Sequence, residues 1–337
     1  MQINQNKRKQ RLILLSFLTS IVLSVLKFGA YYLTDSNAIL SDALESIINV
    51  IASGFAFYSI YLSSQPKDSN HPYGHGKIEF FSAGFEGALI IIASCFIIYE
   101  AISRLLNPQP IENLGLGSII ILFTVLANGG IGYLLIHEGR KSNSLALVAD
   151  GKHLLSDSVS SIILILSVGL ILITGYSWLD SVASLLFGAF LIYSGSRLVT
   201  TSVALLMDAT DPQMLDRTVD LLWRNKKEHW IDIHNLRVQQ YGSDLHIDCH
   251  LTLPYYWELT EVHEAIHDFE NILKGDSKGE TEIFVHADPC LPECCSFCRM
   301  SSCPVRQEKF VQDIIWTQEK LVKNEKLYRE VKNGFNK

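Results

Sequence analysis

Two stretches of this chain repeat one pattern of polar residues inside apolar surroundings: Asp42-Ala-Leu-Glu45-Ser-Ile-Ile-Asn49 and Asp150-Gly-Lys-His153-Leu-Leu-Ser-Asp157. The three-then-four spacing lines each triplet along one helix face. Ionisable groups in the middle of a membrane span cost about a few kcal/mol each, and they persist when they pair, line a cavity or hold an ion. Facing helices would bring together the carboxylates of Glu45 and Asp157, the amide oxygen of Asn49 and the imidazole of His153. That four-ligand set suits tetrahedral zinc. The bland alternative is a hydrogen-bond network that staples two helices, and the repetition of the triplet favours the ion site. Asp42 and Asp150, one turn away, are assigned to helix packing or the access path.

Three further groups have metal-ligand chemistry. The loop Asp68-Ser-Asn-His71-Pro-Tyr-Gly-His75-Gly-Lys77 offers one carboxylate and two imidazoles, with glycines that let the chain fold round an ion. His234, His250, His263, His286 and Asp288 fall in or beside predicted strands and a helix, whereas His229, His246 and His267 read as solvated histidines. Five of the seven cysteines, Cys290, Cys294, Cys295, Cys298 and Cys303, crowd into fourteen positions. On a reducing side of the membrane they favour metal ligation over disulfides, with four of the five closing a structural site. His263-Glu264-Ala-Ile-His267 also satisfies the pattern of zinc proteases, but a protease needs a third ligand and a substrate cleft.

These groups need elements to position them. Of the 337 residues 48% are hydrophobic and 19% charged, an average over an apolar first two thirds and a polar last third. Apolar stretches near 12–34, 37–62, 80–105, 115–137, 144–174 and 180–206 are each long enough to cross ~30 Å of hydrocarbon, so six helical spans are expected. The first follows Lys7, Arg8, Lys9 and Arg11 and reads as an uncleaved span rather than a signal peptide. Basic residues at Lys67, Lys77, Arg140 and Lys141 alternate with loops that carry none, which places both termini in the cytoplasm. A net charge of −7 without a basic block excludes a nucleic-acid partner.

After Leu206 the spacing predicts a helix over 213–227, opened by Pro212, then strands Ile231 to Tyr241 and Leu245 to Leu253 around a Gly242-Ser243 turn. A second helix over 258–273, a strand from Thr281 to Val285 and a helical tail over 305–330 follow. The expected fold is an all-α six-helix membrane bundle with a C-terminal cytoplasmic α/β domain, a ferredoxin-like open-faced sandwich in the order α-β-β-α-β. Its expected divisions are a transport domain over 1–208, a metal-binding domain over 209–289, and a Cys-rich knot with a helical tail over 290–337.

At His153-x-x-x-Asp157 with its serine-rich surroundings, and at His71-Pro-Tyr-Gly-His75-Gly-Lys77, the chain resembles the cation diffusion facilitators, proton-coupled exporters of zinc and related metals. The likeness extends over nearly all of the chain. It implies a transport site at Glu45, Asn49, His153 and Asp157, a loop site at Asp68, His71 and His75, and a soluble-domain site at His234, His250, His263, His286 and Asp288. It also implies a homodimer associating through the soluble domains. Lys77 and Asp208, both close to the cytoplasmic membrane boundary, are candidates for a charge pair between the domains. Span two departs from the family, which usually places His or Asp and then Asp where this chain has Glu45 and Asn49. A neutral amide removes one negative charge and bears on selection among zinc, iron, manganese and cadmium.

The expectation is therefore a secondary active transporter in the cell membrane that exports a divalent transition metal, zinc foremost, in exchange for protons. Zinc would also serve as a structural or regulatory ion. A membrane-anchored metal sensor using the soluble His and Cys sites, and a hydrolase using Glu264, are the competing readings.

Overall fold

The computed structural model describes residues 2–34, 37–106, 115–174, 178–276 and 280–329, with some side chains in these ranges, Glu45 among them, left out. The chain divides into two compact units, Met1–Met207 and Asp208–Lys337.

The first unit is built from six long helices: α1 (Gln2–Thr34), α2 (Asn37–Ser63), α3 (Ile78–Leu106), α4 (Gly115–Lys141), α5 (Leu145–Thr174) and α6 (Trp178–Leu206). Four of them contain described stretches with the length and hydropathy of a membrane span, namely Asn6–Tyr32, Ser46–Ser63, Ile78–Leu106 and Ser181–Leu206. Four of the six expected crossings meet that standard, in α1, α2, α3 and α6, whereas the described stretches of α4 and α5 do not reach it. Large apolar side chains point outward along the helices, with Val25 66%, Leu126 67% and Leu186 70% exposed. Polar residues such as Ser16, Asn49, Ser82, Glu86, Asp150 and His153 are buried. That inversion suits a lipid surround, where apolar surface has no reason to hide.

Backbone approach sets the helix pairs. A Cβ on Gly132 of α4 would lie 2.8 Å from the Gly151 carbonyl of α5, and one on Gly151 would lie 2.8 Å from the Gly132 carbonyl. Gly87 of α3 and Gly195 of α6 meet in the same reciprocal way, at 3.0 and 2.9 Å. Small residues at these crossings let two backbones pack directly, the usual device where helices associate in lipid. One end of the bundle is tied by a buried charge. Lys9 Nζ lies 3.6 Å from Glu79 Oε1, which also accepts from Ser63 Oγ at 3.0 Å, while Ser144 donates to Glu79 Oε2.

The second unit opens with α7 (Pro212–Arg224), whose first turn is capped by the Asp211 carboxylate accepting from the Gln213 amide at 2.9 Å. Then follow β1 (Asp232–Tyr241), β2 (Asp244–Leu253), α8 (Leu259–Asp276) and β3 (Thr281–Pro289). β1 and β2 form an antiparallel hairpin closed by Gly242 at φ 66°, and α8 carries the chain across so that β3 pairs parallel to β2. The sheet order is β1-β2-β3, as the α-β-β-α-β reading expects. Alternate residues of β2, Ile247, Cys249, Leu251 and Leu253, enter a core with Leu222 of α7, Trp230, and Phe269 of α8. The intervening His246, Asp248, His250 and Thr252 face the other way.

The tail departs from expectation. Among the described residues the helix expected over 305–330 is largely replaced by irregular chain, with the short helix α9 (Gln318–Leu321) and further helical residues at 327–329. Ile314 and Trp316 are buried two residues apart, an extended period, and with Leu321, Leu327 and Tyr328 they fill the same core as the sheet. The segment from Cys290 onward is therefore part of the soluble unit's core rather than an appendage. Tertiary burial overrides the helical propensity of a Lys- and Glu-rich sequence.

Candidate metal centres

In the membrane unit α2 and α5 bring three of the four expected ligands together. Asn49 Oδ1 lies 2.9 Å from His153 Nε2, and the Asn49 amide nitrogen donates to Asp157 Oδ2 at 2.6 Å. Asp157 Oδ2 is 4.0 Å from His153 Nε2, the two ligands being one turn apart on α5. Asn49 and His153 are 9% and 4% exposed. An amide oxygen, an imidazole nitrogen and a carboxylate therefore converge in a buried position. The side chains of Glu45 and Asp42 lie outside the described residues. Asp150 turns away from this group: its Oδ2 accepts from Ser16 Oγ of α1 at 2.7 Å, in keeping with a packing role.

The sequence reading missed Glu86. It lies in α3 at 0% exposure, with Oε2 3.8 Å from His153 Nδ1. The available signal was a carboxylate embedded in the apolar run of α3, but no matched triplet surrounds it.

The loop between α2 and α3 closes on itself through Asp68. Its Oδ1 is 3.1 Å from His71 Nδ1 and its Oδ2 is 3.3 Å from His75 Nε2, and the two rings lie 4.4 Å apart. The amides of His71 and Asn70 donate to Asp68 Oδ1 at 2.7 and 2.9 Å, holding its carboxyl below the usual carboxylate range. Gly74, at φ 86°, makes the turn that returns His75 to Asp68. Lys77 follows, its carbonyl accepting from the amides of Phe80 and Phe81. Asp208, at the head of the second unit, has φ 63°.

On the open face of the sheet His250 stands opposite His234 of β1 and His286 of β3. The His234 and His250 rings are 5.0 Å apart, and those of His250 and His286 are 4.6 Å apart. Asp288 Oδ2 lies 3.3 Å from both His234 Nε2 and His250 Nδ1. A bulge between His234 and Arg237, with Asn235 at φ 53°, turns His234 toward this group. Asp232 Oδ2 backs it at 3.2 Å from His234 Nδ1, the arrangement that orients a metal-binding imidazole. His286 is the more exposed wing, 3.8 Å from Asp288 Oδ1.

His263 is not in this group. It sits exposed on α8, whose Ala265 and Phe269 pack on the core face of the sheet, opposite the histidines. Among the described residues, ligand atoms of three residues come within 4.8 Å of one another in two places, Asp68–His71–His75 and His234–His250–Asp288. His263 and His267, the pair of the protease pattern, belong to neither.

The five clustered cysteines are all free and line one cavity with Tyr256. Arg306 shapes the loop around it, donating to the carbonyls of Cys295 at 2.9 Å, Cys298 at 2.8 Å and Met300 at 2.6 Å. Cys294 is withdrawn into the core at 2% exposure, where burial pushes its thiol up to about 12.

Comparison with known proteins agrees with this geometry. Residues 13–207 match the cation efflux transmembrane domain and residues 222–290 the cytoplasmic domain of cation efflux proteins. An uncharacterised transporter of Synechocystis sp. is 34% identical over 264 residues, 78% of this chain and 85% of its own. A cadmium, cobalt and zinc/H(+)-K(+) antiporter of Bacillus subtilis is 26% identical, covering 83% of this chain and 89% of its own. The cation-efflux pump FieF of Shewanella oneidensis is also 26% identical, with 81% and 92% covered. A buried polar centre within a helical membrane unit, followed in the chain by a small α/β unit, is the plan of a membrane transporter and not of an enzyme. The chain belongs to the cation efflux family, the cation diffusion facilitators.

Proposed function

We propose that this transporter exports a divalent transition-metal ion, zinc foremost, from the cytoplasm in exchange for protons. It would act as a homodimer in the cell membrane, with six crossings and both termini cytoplasmic. The observation that carries the reading is the convergence of Asn49, His153 and Asp157 in the buried interior of the helical unit. Glu45 is assigned as the fourth ligand from its position one turn before Asn49 on α2. An imidazole in the set favours zinc and its neighbours over magnesium or calcium, which prefer oxygen ligands.

Exchange follows from competition at one site. His153 and the carboxylates bind metal only when deprotonated, so protons arriving from the acidic side displace the ion and a less acidic cytoplasm favours loading. The loop group and the sheet group are assigned as further metal sites that tune transport and support the dimer. A structural zinc held by four of the five clustered thiols rests on their spacing in the sequence, since no three of their sulfur atoms lie within 4.8 Å of one another. Loss of about one zinc per chain from purified Cys298→Ser protein tests that assignment.

The test of transport is metal flux into proteoliposomes under a pH gradient, with zinc, iron, manganese and cadmium and with Asp157→Ala as control. Flux that needs both the gradient and Asp157 supports the proposal and ranks the ions. A protein that binds zinc at its soluble sites yet moves no metal would instead be a membrane-anchored sensor.

A further inference from the structure

The membrane centre contains a charge that its four assigned ligands leave out. Glu86 is completely buried, and neither of its carboxylate oxygens accepts a hydrogen bond from a described residue. A carboxylate taken out of water without donors is costly, and such a group is retained where it faces a cation. Its ion-pairing neighbour is His153, with Oε2 3.8 Å from Nδ1, and the carboxylates of Asp150 and Asp157 lie close enough to act on it as well. The other ring nitrogen, Nε2, faces Asn49 and Asp157. Glu86 thus lies behind His153 as seen from the site.

Two physical consequences follow. When His153 binds an ion through Nε2, its proton resides on Nδ1 and points at Glu86, the carboxylate–histidine–metal order that fixes a ligand's tautomer and orientation. The second concerns charge. The assigned ligands Glu45, Asn49, His153 and Asp157 carry two negative charges, one fewer than the same set with Asp at position 49, and charge in a low-dielectric interior weighs heavily on a bound dication. Glu86 adds a third one imidazole ring away. The other buried carboxylate nearby, Asp150, differs in that one of its oxygens, Oδ2, accepts from Ser16 of α1.

We infer that Glu86 is a positioning and charge-balancing residue of the transport site, holding His153 toward the divalent cation and supplying from α3 the negative charge that Asn49 does not supply from α2. The inference rests on the transport reading of Asn49, His153 and Asp157. It predicts that charge at positions 49 and 86 is interchangeable, which helix packing alone would not produce.

Zinc flux is measured in proteoliposomes as a function of zinc concentration for wild type, Glu86→Gln, Asn49→Asp and the double variant Asn49→Asp/Glu86→Gln. Glu86→Gln keeps the side-chain shape and is expected to raise KM about 10- to 100-fold with the maximal rate largely kept. Asn49→Asp, placed on a different helix, is expected to lower that KM most of the way back in the double variant. A wild-type KM in Glu86→Gln, or a double variant no better than the single one, overturns the inference. Should Glu86→Gln fail to fold, the double variant carries the test alone: it is expected to fold and transport, and a folded double variant without flux overturns the role of Glu86. Absence of flux in the wild type for zinc, iron, manganese and cadmium alike would overturn the transport reading itself, whereas wild-type flux with an unchanged KM in Glu86→Gln removes only this inference.

Discussion

The two units of this chain are folded around opposite interiors. Beyond Asp208, Trp230, Ile233, Leu251 and Phe269 are hidden while the histidines of β1, β2 and β3 gather on the open face of the sheet. Before Met207, many leucines and valines lie on the surface, and Asn49, Glu86, Asp150 and His153 share the interior with Ile13, Ile60, Phe80 and Leu147. In both, the surface matches its surround. The difference lies in what a metal ligand costs in each place. On the sheet only part of the cluster is covered: His250 and His286 keep access to water, while His234 is 4% exposed. A carboxylate inside the helical unit has no such relief and must be justified by donors or by a cation. For that reason the membrane centre is the stronger evidence for function.

Substitutions can break this contrast, and the largest effect is expected inside the membrane unit. Asp157→Ala should reduce metal flux in proteoliposomes to background while zinc binding by the soluble unit persists; residual flux near wild type would remove Asp157 from the site. Trp230→Ala strikes the opposite kind of interior. Trp230 is 0% exposed and packs edge-on against Phe269 at 5.2 Å, so its loss should destabilise the soluble unit by about 3–5 kcal/mol, read as lost hydrogen-exchange protection in the sheet.

Gly151→Ala should cost about 1–3 kcal/mol, because its methyl group would meet the Gly132 carbonyl at 2.8 Å and neither backbone can yield cheaply. A lowered melting temperature of the protein in detergent checks this. His250→Ala should weaken zinc binding at the sheet at least about tenfold, measured by titration calorimetry, and leave flux at saturating zinc largely intact. The smallest effect is expected at the exposed pair of Lys227 and Asp268, 2.5 Å apart. Lys227 holds the Asp268 carboxyl below its usual value, so the pair's contribution is present above the ordinary carboxylate range and is lost as the pH falls through it. Melting curves of Lys227→Ala should therefore sit only slightly below wild type near neutrality and merge with it in acid.

Much of this was legible before any fold was known. Long apolar runs announced the helical unit because a backbone in lipid has to satisfy its own hydrogen bonds. Alternation announced the strands, and Gly242 the hairpin turn. The repeated triplets pointed to Asn49, His153 and Asp157 because helical spacing alone puts such residues on one face. The tail was misread for the converse reason: Lys and Glu favour helix locally, whereas Trp316 and its neighbours are held extended by a core assembled from distant parts of the chain.

Sequence by itself determined which residues carry metal chemistry and which helix or strand bears each of them, since both follow from residue type and short-range periodicity. Tertiary structure alone decided which of them meet. It joined His234 to His250 and Asp288 through a bulge and a parallel strand pairing, and left His263 on α8 outside the group. It also set Glu86 of α3 behind His153 of α5. Contacts between distant segments depend on how whole elements pack, and no local spacing records that.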